Sequence, residues 1–157
     1  MRAMALTTHL ETILVIETSV DDTSPQIVGY VLEQALEQGA LDAYATPLQM
    51  KKNRPGVLLT ILARPEQRQA LVELLLRETS TLGVRVGECQ REVLERSLET
   101  VTTAYGVIRV KRAPAGAGAK AAPEYEACRA AARRHGVPLR QVLEAALAGV
   151  SQPEQRQ

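Results

Sequence analysis

The sequence predicts an α+β fold, and two observations support this prediction. Apolar runs rich in strand-forming residues alternate with segments whose apolar residues recur at helical spacing, and their order is β-α-β-β-α-β. This order is typical of a ferredoxin-like fold, in which helices cover one face of an antiparallel sheet. A chain of 157 residues is long enough for one such domain and a small appendage.

The first strand and the first helix are read from local signals. Residues 13–16 form a short apolar strand. Ser24 then supplies an N-cap, and Pro25 stands at the first helical position. Apolar residues follow at helical spacing until Gly39, where the helix is expected to end. Later in the domain we expect strands over 41–50 and 57–63, a second amphipathic helix between Pro65 and Thr79, and a fourth strand from Val84.

The last third of the chain predicts a hairpin and two helices. Strand-like residues 98–103 and 107–111 flank a turn, residues 114–122 have the Gly and Ala content of a flexible linker, and two helical segments follow. We therefore expect this division of the chain: a disordered leader over 1–12, the ferredoxin-like domain with its hairpin over 13–112, a linker over 113–122, a helical appendage over 123–150 and a frayed tail over 151–157.

Composition argues against several classes of protein. The chain has 19 Lys+Arg against 18 Asp+Glu, so no overall positive field attracts nucleic acid, and four Tyr with no Phe or Trp offer few stacking platforms. The longest apolar runs are too short for a membrane span, and we expect a cytoplasmic protein. The two cysteines and two histidines stand far apart, without the spacing of a transition-metal site, and no feature activates a serine for hydrolysis.

A basic connection between two predicted strands is the first candidate site. Lys51, Lys52 and Arg54 occupy three of four positions before Pro55 and Gly56, which favour a turn. Cations at a strand end, where backbone amides are also free, suit a polyphosphate, and Arg can bind its oxygens with a bidentate fork. The alternative is an ordinary solvated turn.

Carboxylates at the first strand-to-helix corner form the second candidate site. Asp21 and Asp22 lie at the corner, and Glu17 lies two strand positions before Ser19. At such corners hard divalent ions with oxygen ligands, such as Mg²⁺ or Mn²⁺, are often held beside phosphates. The alternative is that both aspartates only favour the turn and the dipole of the first helix.

A third candidate group surrounds Gly83. Glu78, Thr79, Thr81 and Arg85 carry a carboxylate, two hydroxyls and a guanidinium that could contact a base, a ribose or a phosphate. The alternative is a simple helix end, with residues 79–83 serving as its C-terminal cap.

Six sequence blocks lie in one order along most of the chain: Glu17 to Asp22, Gly39 to Asp42, Gln49 to Gly56, Glu78 to Arg85, Tyr105-Gly106 and Pro123 to Cys128. Taken together, these blocks resemble the LarC-type nickel insertion proteins, which complete the nickel-pincer nucleotide cofactor of lactate racemase. One departure is Ser19, where this family usually has Asn.

The resemblance implies a carboxy-terminal domain that binds CTP with Mn²⁺ or Mg²⁺. A larger amino-terminal LarC domain would complete a lyase, a cyclometallase, that inserts nickel into pyridinium-3,5-bisthiocarboxylic acid mononucleotide at the expense of nucleotide hydrolysis, with nickel as a substrate. This chain alone would then lack full activity. The family also implies a homo-oligomer, a trimer or hexamer, in which Asp42 or Asp21 could meet its copies at a symmetry axis and bind a metal. The competing hypothesis is a non-catalytic ferredoxin-like module for nucleotide binding or oligomerisation.

Overall fold

A computed structural model describes residues 7–115 and 118–151 of the chain. These residues divide into two compact units, one formed by Leu10–Glu92 and the other by residues 7–9, 93–115 and 118–151. The helices and strands occur in this order: β1 Thr8–Val20, α1 Pro25–Glu37, β2 Asp42–Met50, β3 Arg54–Ala63, α2 Arg68–Glu78, β4 Arg85–Leu94, β5 Ser97–Thr103, β6 Gly106–Ala115, β7 Gly118–Pro123, α3 Tyr125–His135 and α4 Leu139–Ser151.

The first sheet has four strands in the order β2-β3-β1-β4, and helices α1 and α2 connect them in a β-α-β-β-α-β sequence. Strand β3 pairs antiparallel with both β1 and β2. The register places Val20 opposite Val57, so that the three residues before Val57 extend past the end of β1. The predicted α+β fold is confirmed, with the strand order of a split β-α-β unit.

Both helices of this unit pack on one face of its sheet. Every second residue of β1 faces them, and Leu14 and Ile16 join Leu59 and Ile61 of β3 in a core with buried residues of α1 and α2. Helix α1 begins as the sequence predicts, because the Ser24 Oγ accepts a hydrogen bond from the Ile27 amide at 3.4 Å. The other face of the sheet carries polar side chains that include Glu17 and Ser19 of β1 and Thr60 of β3, and Arg85 of β4 contacts the two β1 side chains there.

The second unit is built on a three-stranded antiparallel sheet in the order β5-β6-β7. The predicted hairpin is confirmed: Thr103 pairs with Gly106, and the Thr103 Oγ1 donates to the Gly106 carbonyl oxygen at 2.8 Å. Residues of α3 and α4, including Cys128 and Val142, pack on Ile108 and Val110 to form a separate buried cluster. The pair of helices therefore completes the core of this sheet.

The expected division of the chain is wrong in three respects. Most of the expected linker over 113–122 lies in the paired strands β6 and β7, where Ala113 faces Lys120 and Pro114 faces Ala119. The hairpin belongs with the two helices, because its apolar face needs them as cover. The expected leader contributes to a strand, because β1 begins at Thr8. Half of the expected leader, residues 1–6, and most of the expected tail, residues 152–157, lie outside the described part.

Within the described ranges, every helix is too short or too polar to span a membrane.

Candidate functional site

The basic connection is a tight turn that presents its cations to solvent. Strand β2 ends at Met50, residues Lys51–Asn53 form one 3-10 turn, and Arg54 pairs with Met50 to begin β3. Lys52 and Asn53 have φ angles of 61° and 58°, in the left-handed region that residues other than Gly and Asn rarely adopt. Lys51, Lys52 and Arg54 are all exposed. The turn therefore holds three cations at the end of the sheet.

Gly56 explains how the strands beside this turn come so close. A Cβ atom at this position would lie 2.5 Å from the Met50 sulfur and 2.8 Å from the Val20 carbonyl oxygen. Only a residue without a side chain allows β1 and the end of β2 to approach β3 in this way.

The structure brings the first two predicted groups together at one corner of the sheet. Arg54 Nη1 donates to Asp21 Oδ2 at 3.2 Å, in an ion pair whose side chains are 57% and 20% exposed. Because Asp21 directly follows β1, the basic turn and the carboxylate pair of Asp21 and Asp22 form one surface, here called the sheet-end site. This juxtaposition could not be read from residues 33 positions apart in the chain.

Asp22 is held by hydroxyl groups that sequence reasoning did not select. Ser80 Oγ donates to Asp22 Oδ1, and the Thr23 and Ser80 hydroxyls lie 2.9 Å apart. These contacts connect the β1-α1 corner to the loop that follows α2. The signal in the sequence was a cluster of hydroxyl residues over 79–81, of which Thr79 and Thr81 were predicted to contact the ligand.

The predicted hydroxyls of the third group are engaged within that loop. Thr79 Oγ1 donates to the Leu75 carbonyl oxygen at 2.7 Å, which is the capping role given above as the alternative for this segment. Thr81 Oγ1 lies 2.5 Å from the Oγ1 of Thr18 and 2.8 Å from the Gly83 carbonyl oxygen. Thr18 is 1% exposed. The Thr18 and Thr81 hydroxyls are therefore hydrogen-bonded to each other, and together with the Thr79 contact they stabilise the loop.

The charged residues of the third group separate. Glu78 accepts from Arg77 Nε at 2.8 Å, and this hydrogen bond, followed by the negative charge of Glu78, raises the pKa of Arg77. Arg85 instead reaches across the helix-free face of the sheet, where its Nη2 lies 3.4 Å from Ser19 Oγ and 3.8 Å from Glu17 Oε2. Thr60 Oγ1 also donates to Glu17 Oε1 at 3.3 Å.

The four predicted metal ligands do not form one site within a single chain. Asp42 stands opposite Leu62, which faces Val15, so that Asp42 lies about 20 Å from Asp21 along the strand direction. Its Oδ1 accepts from the Ala43 amide at 2.9 Å. Over residues 7–115 and 118–151, no group of three or more His, Cys, Asp or Glu side chains is placed to hold a metal ion.

Asp21 and Asp22 alone fit one kind of metal binding. Mg²⁺ commonly uses one or two protein carboxylates and completes its coordination with water and substrate phosphates. Two adjacent carboxylates beside three cations fit a metal that arrives with a nucleotide better than a resident structural ion.

Comparison with known proteins places the chain in a family. The profile of the nickel insertion protein family matches residues 1–143. The chain belongs to the nickel insertion protein family. A pyridinium-3,5-bisthiocarboxylic acid mononucleotide nickel insertion protein of Acetivibrio thermocellus is 47% identical over 133 residues, which are 85% of this chain and 33% of that protein. A putative nickel insertion protein of Geobacter sulfurreducens is 50% identical over 130 residues, 83% of this chain and 34% of that protein.

A solved structure extends this family relationship to the fold. LarC2 in its apo form, the C-terminal domain of a cyclometallase involved in the synthesis of the NPN cofactor of lactate racemase, matches with a TM-score of 0.82 and 40% identity, over 92% of this chain and 100% of that chain. A protein of Methanopyrus kandleri shares the fold with a TM-score of 0.63 and 23% identity, over 93% of this chain and 92% of that chain. The chain spans about a third of the length of these two curated nickel insertion proteins.

Proposed function

We propose that this chain is the CTP- and divalent-metal-binding part of a nickel insertase that acts on pyridinium-3,5-bisthiocarboxylic acid mononucleotide. The observation that carries the proposal is the contact between Arg54 and Asp21, which joins a cationic turn to a carboxylate pair at one sheet end. A nucleoside triphosphate complexed with Mg²⁺ or Mn²⁺ carries charges complementary to both groups, with anionic phosphates for the cationic turn and a cation for the carboxylates. Similarity to a nickel insertion protein and to a cyclometallase domain supports the choice of reaction.

The residues of this chain would act by charge neutralisation and positioning. Lys51, Lys52 and Arg54 would bind phosphate oxygens, and Asp21 and Asp22 would hold the metal, which would neutralise phosphate charge when bound. Arg85 is the remaining candidate for a nucleotide contact, since its contacts with Ser19 and Glu17 are long, at 3.4 Å and 3.8 Å. Glu78, Thr79 and Thr81 have closer partners within the fold.

Nickel would be a substrate of the full enzyme. Nucleotide hydrolysis would drive formation of the carbon–nickel and sulfur–nickel bonds of the pincer cofactor. An amino-terminal LarC domain would complete the active site.

A thermal-shift experiment tests the nucleotide site. At about 100 times its dissociation constant, CTP with Mn²⁺ or Mg²⁺ should stabilise the protein by roughly 2.7 kcal/mol and raise the melting temperature by about 5–10 °C. Lys51→Glu combined with Lys52→Glu should abolish this shift, because the variant places negative charge beside the phosphates.

Lys111→Glu combined with Lys120→Glu is the matched control. These exposed lysines lie on β6 and β7, so the control changes the net charge equally while leaving the basic turn intact. If no nucleotide shifts the transition, or if both double variants respond alike, the basic turn does not bind the phosphates.

The competing hypothesis is a non-catalytic module that only binds a nucleotide or assembles. Phosphate and pyrophosphate release from CTP, measured with Mn²⁺ present, separates the two. CTP binding without release would restrict this chain to a binding role.

A further inference from the structure

The Arg54-Asp21 ion pair joins two groups that would bind opposite parts of the same ligand. Asp21 is a carboxylate suited to a divalent cation, and Arg54 is a guanidinium suited to a phosphate. In the structure, Arg54 Nη1 lies 3.2 Å from Asp21 Oδ2, so each group is occupied by the other. Neither Lys51 nor Lys52 forms an ion pair with any described residue, and both are exposed.

We propose that a metal-nucleotide complex binds the sheet-end site by exchange with this ion pair. The cation takes the place of Arg54 on Asp21, and the released guanidinium binds a phosphate oxygen. The inference rests on the proposed function and deepens it, because the ligand is the complex of a nucleoside triphosphate with a divalent cation. Either component alone binds with lower affinity. It must break the ion pair but interacts with only one of the two side chains that are released.

The expected size of the effect follows from the exposure of the pair. Exposed ion pairs contribute about 0.2–1 kcal/mol, which corresponds to about 1.4- to 5-fold in affinity. Since the Asp21 side chain is only 20% exposed, we expect the upper part of this range. By linkage, metal and nucleotide should each strengthen binding of the other by the same factor.

The first measurement is CTP affinity in EDTA, determined by calorimetry for a double-mutant cycle. Asp21→Asn should strengthen metal-free CTP binding about 2- to 5-fold, because it releases Arg54. Loss of the Asp21 charge would also strengthen CTP binding by general electrostatics. That general effect should be the same whether residue 54 is Arg or Gln. The exchange therefore predicts that the gain from Asp21→Asn falls to the general effect in the Arg54→Gln background. An equal gain in both backgrounds overturns the proposal.

The second measurement uses Mn²⁺ alone, with free ion quantified by electron paramagnetic resonance. Arg54→Gln should bind Mn²⁺ about 2- to 5-fold more tightly than the parent, because it frees Asp21. Arg140→Gln is the control, since it removes the same charge from an exposed ion pair. In that pair, Arg140 Nε lies 2.8 Å from Glu144 Oε1. If Arg54→Gln and Arg140→Gln bind Mn²⁺ equally, there is no exchange.

The two measurements separate failure of the exchange from failure of the proposed function. If the parent does not bind CTP even with Mn²⁺, the proposed function falls, and the Mn²⁺ titration still decides whether Arg54 competes for Asp21. If the parent binds CTP with Mn²⁺ but the double-mutant cycle shows no coupling, the function stands and the exchange falls.

Discussion

At the scale of single residues, Thr18 shows how a polar group can be buried in a core strand. It occupies a helix-facing position of β1, between Ile16 and Val20, and is 1% exposed. Its Oγ1 donates to the Gly83 carbonyl oxygen at 3.1 Å and lies 2.5 Å from Thr81 Oγ1. These bonds offset the cost of burying the hydroxyl and connect the loop after α2 to the sheet.

Replacing Thr18 by Val should therefore destabilise the protein although the two side chains have similar shapes. Losing bonds to a buried partner costs about 1–2 kcal/mol, and the melting temperature should fall by roughly 2–8 °C. Thr46→Val on strand β2 is the control, because Thr46 is exposed. Equal melting temperatures for the two variants would mean that the hydroxyl contacts do not stabilise the loop.

The two cysteines should differ in reactivity. Burial raises the pKa of the Cys128 thiol, which lies fully inside the core of the second unit, whereas Cys89 is exposed. A native sample at pH 8 should therefore react with one equivalent of a thiol reagent quickly, and with two in denaturant. Fast reaction of both thiols in the folded protein would contradict the described packing.

The same pKa shift predicts a direction for stability. Because the folded state holds the Cys128 proton more tightly than the unfolded state, its contribution to the free energy of unfolding is present at neutral pH. That contribution is lost as the pH rises above about 8.5, where the unfolded thiol ionises.

At the scale of secondary-structure elements, the β2-β3 connection depends on close strand approach. Its turn holds Lys52 and Asn53 at positive φ, while Gly56 allows contact with the Val20 carbonyl oxygen. The left-handed turn and the glycine together orient the cations of the sheet-end site.

Gly56→Ala should disturb this connection. The added methyl group would meet a backbone oxygen at 2.8 Å, so the strands must separate, at a cost of about 1–3 kcal/mol. CTP binding should weaken as well, because the turn would move away from Asp21. Gly87→Ala on β4 is the matched control, since a methyl group added there would have nothing within 4 Å. Urea unfolding and CTP titration of both variants provide the measurements, and equal stability would refute the argument.

At the scale of the whole molecule, strand β2 forms one edge of the four-stranded sheet. On this strand Tyr44 is 43% exposed and stands opposite Thr60, on the face away from the helices of the unit. An edge strand with an exposed aromatic residue is suited to contact with a second copy of the chain.

We therefore predict a homo-oligomer, a trimer or hexamer, in which carboxylates that lie apart in one chain, such as Asp42, could meet their copies. Light scattering at about 100 μM protein should give a mass of three or six chains, and Tyr44→Glu should lower it. Tyr30→Glu is the control, because Tyr30 is 47% exposed on α1, which packs on the opposite face of the sheet from Tyr44. A monomeric parent protein would refute the prediction.

The sequence was sufficient for the identity and order of the helices and strands other than β7, because their signals are local. Ser24 and Pro25 mark the start of α1, and the short apolar run over 13–16 marks β1. Local composition failed over 113–122, where small residues that resemble a linker pair across a hairpin. Strand pairing depends on residues on both sides of the turn, which the composition of one segment does not reveal.

By itself, the sequence determined the α+β class, the basic turn and the carboxylate pair, because each is a pattern within a few neighbouring residues. Only the tertiary structure decided which of these groups meet. The sheet register places Arg54 beside Asp21 and keeps Asp42 far from both. The Thr18 and Ser80 hydroxyls form hydrogen bonds that hold the loop after α2, whose side chains were predicted to contact the ligand. These contacts join residues tens of positions apart, so they follow from the packing of the whole sheet against its helices.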